Sequence, residues 1–181
     1  MNQEQTVSSK TIYHGRIINL RLDTIVTTNG SESIREIVEH GNCIAVVAID
    51  GEDRVLLVRQ FREAIGKTSL EIPAGGIESE EDSAQAMQRE LREETGYQAN
   101  HVRKIGGFYS SPGYSTEYLY LYMATGLKEA PLYAEDTAGI ELVRVPVQQI
   151  PNLITSGEIS DAKSVAGLLL VLKQYQSDEN K

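Results

Sequence analysis

Residues 75–97 read GGIESEEDSAQAMQRELREETGY, and the pattern in this stretch governs the reading of the rest of the chain. Between Glu78 and Glu94, seven acids (Glu78, Glu80, Glu81, Asp82, Glu90, Glu93, Glu94) stand against two bases, Arg89 and Arg92. The segment predicts a helix entered from a Pro73-Ala74-Gly75-Gly76 loop. Ser79 with Asp82 resembles a capping box with a short acidic partner, Ala84, Met87 and Leu91 share one face, and Gly96 supplies a left-handed stop. On such a helix Glu90, Glu93 and Glu94 stand at i, i+3 and i+4, so three carboxylates leave from one side. Two of them about 6 Å apart repel by roughly 3 kcal/mol at an effective dielectric near 20, a sizeable part of the ~5–15 kcal/mol that keeps a domain folded. Most charge runs are solvated faces, and the two arginines offset part of the repulsion. Neighbouring glutamates with no Cys or His ligand set point instead to a hard divalent cation, Mg²⁺ or Mn²⁺, with a carbonyl of the 73–76 loop as another oxygen ligand.

Upstream of this stretch, residues 11–26 alternate in short apolar steps and run into Asn29-Gly30, a hairpin signal, after which residues 33–39 predict a second strand. Residues 43–49 and 55–61, joined by the polar turn Asp50-Gly51-Glu52-Asp53, predict two strands of a buried or half-buried sheet, and residues 69–72 a further one. Downstream, strands are expected at 104–109, 118–123 and 140–145, then a short helix over 147–155 interrupted near Pro151. A last helix runs from about Asp161 with Val165, Leu168, Leu169 and Leu172 on one stripe. Strands and helices interspersed with hairpins predict an α/β sandwich with a mixed sheet, not a doubly wound parallel one. The polar ends, 1–10 and 176–181, are expected to fray.

The 181 residues, 40% hydrophobic and 24% charged, suit one compact domain with a small appendage. The net charge of −9 repels phosphate backbones and anionic lipid, which argues against nucleic-acid or membrane partners. Cys43 is the sole cysteine, so neither an internal disulfide nor a thiolate zinc cage can form. The longest apolar runs, 43–49 and 166–172, are too short to span a bilayer, and the first residues lack the make-up of a signal peptide, so the expected location is cytoplasmic. Gly66-Lys67-Thr68 imitates the end of a phosphate-binding loop, but Phe61 stands where its first glycine belongs, and the segment reads as a turn.

Gly75, five residues, Glu81, seven residues, Arg89-Glu90-Leu91, one residue, Glu93-Glu94, one residue and Gly96-Tyr97 resembles the Nudix box in order and spacing. Tyr97 stands where that pattern has a bulky aliphatic. The resemblance implies an α/β fold, the Nudix α/β/α sandwich with a mixed β-sheet, in residues 41–181, and an N-terminal antiparallel β-ribbon in residues 1–40 serving dimerisation and substrate contacts. It further implies Mg²⁺-dependent hydrolysis of a nucleoside diphosphate linked to another group. Glu90 and Glu94 would be metal ligands with the Ala74 carbonyl, Glu93 a further ligand or a base acting through water, and Arg89 the residue that orients the carboxylates.

Over residues 12–175 the chain is most similar to ADP-ribose pyrophosphatases and nucleoside diphosphate sugar hydrolases. Pro112, in Ser111-Pro112-Gly113 followed by Glu117, resembles the substrate loop of that branch, and Pro then Gly presets a tight turn. Arg35, Glu36 and Arg62 fall where the resembling enzymes contact nucleotide and phosphates, and the planar fork of Arg suits a diphosphate. His40, nearby, reads as a solvated or packing histidine. Asp161-Ala162-Lys163 matches an Asp-x-Lys pattern of the sugar-nucleotide enzymes, and Asp161 reads equally as a helix-start residue. Thr137-Ala138-Gly139 departs from the glutamate-rich loop of the resembling enzymes, which leaves Glu135, Asp136 and Glu141 as candidate bases. Glu141 is preferred because it opens a strand, with Glu93 as fallback. A nucleotide-sugar substrate and a homodimer are the partners implied. The competing readings are a Nudix enzyme for triphosphates, dinucleotides, coenzyme A or RNA caps, and a non-hydrolytic sensor of ADP-ribose.

Overall fold

The computed structural model describes residues 4–179, without the side chains of Asp136 and residues 175–179. They form two compact units, one comprising the chain up to Asn42 together with Phe108–Tyr118, the other Cys43–Gly107 and the chain from Leu119 onward.

The first unit is a three-stranded antiparallel sheet in the order β1 (Gln5–His14), β2 (Ile18–Val26), β3 (Glu32–His40). The Asn29-Gly30 signal makes the β2–β3 turn: Gly30 adopts φ +83°, and Asn29 Oδ1 accepts from the Ser31 amide at 3.1 Å. Residues 5–10, expected to fray, are strand. β1 is exposed at every position, so no apolar alternation announces it, and it is held by its ladder to β2. The segment Phe108–Tyr118 is clipped to β3: the Val38 amide donates to Tyr114 O at 2.7 Å, the Thr116 amide to Val38 O at 3.0 Å, and the His40 amide to Thr116 Oγ1 at 3.0 Å.

The second unit is a mixed sheet in the order β10 (Glu141–Pro146), β5 (Arg54–Arg62), β4 (Cys43–Ile49), β9 (Tyr118–Glu129), β8 (Tyr97–Tyr109), with β6 (Lys67–Glu71) paired to β5 and β7 (Ala74–Gly76) to β4. β4 runs parallel to β9 and antiparallel to β5 and β7. All seven residues of β4 are buried, as a strand covered on both faces must be. Ile44, Val46 and Ala48 pack with Ala86, Met87 and Leu91 of α1 (Ser83–Thr95). On the other face Val47 lies against Gly167 of α3 (Ala162–Glu179), where an added Cβ would come within 3.2 Å of its Cγ2 and 3.1 Å of Ile72 Cδ1. The alternation of β4 thus places one helix on each side of the sheet, the α/β/α sandwich expected from the sequence.

Local details differ from expectation. The cap of α1 is Asp82, which accepts from the Ala84 and Gln85 amides while Gln85 Oε1 accepts from the Asp82 amide, so the box lies three residues after Ser79. A Gln at the third helical position reaches back where a second short acid could not. Ala84 is exposed and Ala86 takes its place in the core. Pro151 stands in the first turn of α2 (Ile150–Thr155), so it starts this helix, after a 3-10 turn at Val147–Gln149. On α3 the buried positions among the described residues are Ser164, Gly167, Leu168 and Val171, and Leu169 is half exposed. α3 continues to Glu179, through residues expected to fray; residues 180–181 lie outside the described chain. Among the described residues no helix is long and apolar enough to cross a membrane.

Candidate active site

The acidic stretch and the loop before it meet beside β4. Ala74, Gly75 and Gly76 pair with Ala45, Ile44 and Cys43, and Pro73 O accepts from the Val46 amide at 2.9 Å, so the loop is a strand pinned to the sheet. The Ala74 amide donates to Glu94 Oε2 at 2.9 Å, and a Cβ on Gly75 would collide with the carboxyl of Glu90. Glycine at 75 is what lets that carboxyl lie against the backbone. The structure therefore brings together Ala74, Glu90 and Glu94, the three groups singled out as metal ligands.

Arg89 organises the carboxylates around them. It donates through Nε and Nη2 to Glu81 at 3.1 and 3.0 Å, through Nη1 to Glu90 at 2.7 Å and Glu93 at 3.0 Å, and through Nη2 to Gly76 O at 2.8 Å. Burial works against its charge, but the bonds to Glu81 and Glu90 outweigh it and raise its pKa further. Glu94 receives no bond from Arg89. Burial pushes its carboxyl up to about 8, with the charge of Glu90 adding to the rise and the Ala74 amide, Arg62 and Lys163 opposing it. A buried carboxyl this reluctant to ionise, next to a second one and a backbone carbonyl, is an all-oxygen donor set that a hard divalent cation fits.

A second charged group borders Glu94, joining Arg62, Asp161 and Lys163 through Glu71, the member that the sequence reading misses. Glu71 is only 3% exposed and accepts from Arg62 Nε at 2.9 Å and Nη2 at 2.8 Å. Lys163 Nζ bonds both Glu71 Oε2 and, at 2.9 Å, Asp161 Oδ1. Burial opposes the ionised form of Glu71, yet the Arg62 fork and the Lys163 charge hold its carboxyl at about 2. A single acid between the apolar Leu70 and Ile72 was the available signal.

The remaining candidates are distributed as follows. Glu141 opens β10, exposed and in register with Arg59. Thr137-Ala138-Gly139 follows a 3-10 turn at Glu135–Thr137, where Thr137 Oγ1 donates to Ala134 O at 2.8 Å; the Asp136 side chain lies outside the described residues. Arg35, Glu36, Ser111 and Glu117 all belong to the first unit. Arg35 donates to Glu4 Oε1 at 2.8 Å and Ser33 Oγ at 2.9 Å, and Glu36, its neighbour on β3, points to the opposite face. Ser111 O accepts from the Tyr114 and Ser115 amides at 3.1 and 2.8 Å, forming the tight turn expected of Pro112-Gly113. The Glu117 carboxylate stands 3.9 Å from His40 Nδ1.

Comparison with known proteins bears on this geometry. Residues 39–168 match the family described as NUDIX domain, and residues 4–38 match the nucleoside diphosphate sugar hydrolase N-terminal domain. An ADP-ribose pyrophosphatase of Bacillus subtilis (strain 168) is 35% identical over 90% of this chain and 89% of its own. A methanol dehydrogenase activator of Bacillus methanolicus is 35% identical with the same coverage. Among solved structures, one described as an ADP compounds hydrolase superposes with a TM-score of 0.90 at 20% identity, covering 98% of this chain and 97% of that one, which shows the shared fold. Nudix enzymes are in general dependent on a divalent metal, in keeping with the carboxylates described above. This chain is a Nudix hydrolase of the nucleoside diphosphate sugar branch.

Proposed function

We propose that the protein hydrolyses the diphosphate link of ADP-ribose or a related nucleoside diphosphate sugar, releasing a nucleoside monophosphate and a sugar phosphate. The observation that carries this reading is the coexistence, in one chain, of the 4–38 match to sugar hydrolases and the convergence of Glu90, Glu94 and Ala74. The Ala74 carbonyl, Glu90 and Glu94 would hold Mg²⁺ or Mn²⁺. When bound, such an ion polarises phosphoryl oxygens and acidifies water. Arg62 binds a phosphate through its planar fork, while Arg35, Glu36, Ser111 and Glu117 contact the rest of the substrate. Arg89 keeps Glu81, Glu90 and Glu93 from repelling one another out of position. Two carboxylates can take the proton of the attacking water: Glu141, at the start of β10, and Glu93, held at 3.0 Å by Arg89.

The functional division is a ribbon of residues 1–40 and a hydrolase domain of residues 41–181. The ribbon pairs two copies of the chain, a reading supported by its exposed Val7, Ile12 and Ile34. A monomer mass in solution at micromolar concentration would remove the dimer. The substrate assignment is tested by incubating the protein with Mg²⁺ and ADP-ribose, ADP-glucose, GDP-mannose or nucleoside triphosphates and following the products. Release of AMP from ADP-ribose is expected, and preferred attack on triphosphates would overturn the substrate class. Thr137-Ala138-Gly139, in place of the glutamates expected before β10, favours a second reading, a protein that binds ADP-ribose without cleaving it. Tight binding with no AMP release would establish that reading.

A further inference from the structure

An arginine that must recognise a phosphate needs a fixed direction as well as a charge, because its forked donors work only when the plane is held. Arg62 ends β5 with its side chain 41% exposed, whereas the carboxylate it grips, Glu71, is 3% exposed. The grip is side-on: Nε and Nη2 go to the two oxygens of Glu71, at 2.9 and 2.8 Å. One edge of the guanidinium is occupied, and Nη1 bonds no group among the described residues. Neutralising Glu71 would require only one cation, yet Lys163 from the first turn of α3 takes Oε2 as well. Lys163 is itself tied to Asp161, which caps α3 by accepting from the Lys163 and Ser164 amides at 3.3 and 3.2 Å. Ser164 Oγ in turn accepts from the buried Ile72 amide at 2.8 Å. The residue that holds Arg62 is thus clamped from β5 on one side and α3 on the other, three positions before Ala74. Arg62 and Lys163 both act electrostatically on Glu94, which places the clamp at the edge of the carboxylate site.

We propose that Glu71, locked by Lys163, is a positioning residue that fixes the plane of Arg62 and presents its unbound edge to a phosphate of the substrate. The proposal rests on the hydrolytic reading above and deepens it. With two cations and two carboxylates, the clamp adds no net charge to the site. What it contributes is the direction of the free edge, and a substitution that loosens the direction should weaken substrate capture while leaving bond cleavage comparatively intact.

The test is a double-mutant cycle of Arg62→Ala and Glu71→Gln, read as KM and kcat for ADP-ribose with saturating Mg²⁺. Each single variant is expected to raise KM roughly 10- to 100-fold, the worth of a charge-assisted hydrogen bond, with a smaller change in kcat. The double variant should be no worse than Arg62→Ala alone. Added guanidinium ion should restore part of the lost affinity to Arg62→Ala but none to the double variant. Lys163→Met, which leaves the Arg62–Glu71 pair intact, guards against a Glu71→Gln protein that fails to fold. It should raise KM in the wild-type background and not in Arg62→Ala. Additive effects in the cycle, equal rescue with and without Glu71, or a lowered Tm with unchanged KM would overturn the proposal. A wild-type protein that releases no product from any nucleoside diphosphate sugar overturns the functional reading along with it, whereas turnover with an additive cycle overturns only the role of Glu71.

Discussion

Replacing Glu94 by glutamine should make the metal-free protein more stable at alkaline pH while removing its response to Mg²⁺. Burial and the neighbouring Glu90 push the Glu94 carboxyl up to about 8 from its ordinary 4.5. Because the folded value is the higher one, the native state favours the protonated form. The stability associated with this group is complete below 4.5 and is lost as pH rises through 8. Deprotonating it fully costs the fold on the order of 5 kcal/mol, and between about pH 5 and pH 9 the loss is on the order of 4 kcal/mol. For a chain of this length that corresponds to about 8–16 °C in Tm. A glutamine keeps an oxygen to accept from the Ala74 amide and carries no charge, so the Glu94→Gln protein should escape this decline. Glu71, held at about 2, loses its contribution only in strong acid and leaves the window undisturbed. Thermal scans in EDTA and in millimolar Mg²⁺, across that pH range, read both effects. In the wild type, Mg²⁺ should stabilise increasingly as pH rises, since the ion displaces the proton; in the variant it should do little. Parallel Tm curves for the two proteins in EDTA, with equal gains from Mg²⁺, would refute the placement of a buried, cation-seeking carboxyl at position 94.

Gly75→Ala, which puts a methyl into the Glu90 carboxyl, should weaken Mg²⁺ binding at least tenfold by calorimetry while the far-UV spectrum stays native. Arg89→Met removes the common partner of Glu81, Glu90 and Glu93 and is expected to lower metal-free stability by about 3–5 kcal/mol in urea unfolding, as breaking a largely buried ion-pair network does. Glu141→Gln should lower kcat far more than it raises KM if this residue is the base; unchanged kinetics, together with a collapse of kcat in Glu93→Gln, would assign the proton transfer to Glu93.

The regions whose structure follows from short-range chemistry were readable from the amino acids. Residues 43–49, apolar without a break, predict a buried or half-buried strand, and the structure covers it on both faces; Asn29-Gly30 predicts the turn between β2 and β3. The spacing of Glu90, Glu93 and Glu94 alone places three carboxylates on one side of a helix, and Gly96 ends it at φ +79°. What the sequence obscured depends on partners remote along the chain. β1 has ten exposed residues and exists because β2 offers it hydrogen bonds. Glu71 and Lys163 are 92 residues apart, and no local pattern ties an acid in a strand to a base in a distant helix. The cap of α1 lies three residues beyond Ser79 because several acids crowd the helix entrance and only the side chain at Gln85 decides between them.

The Ala74–Gly76 segment is a strand of the sheet, and this has a bearing on how rapidly the proposed carboxylate site would engage a divalent ion. A carbonyl held by a ladder to β4 does not have to be gathered from many orientations each time a cation arrives, so the entropy that a slack turn would surrender on every encounter has been given up once, on folding. Deuterium uptake by the Gly75 amide, in register with Ile44 of β4, should accordingly be as slow as that of the central strands, and nearly indifferent to whether Mg²⁺ is present.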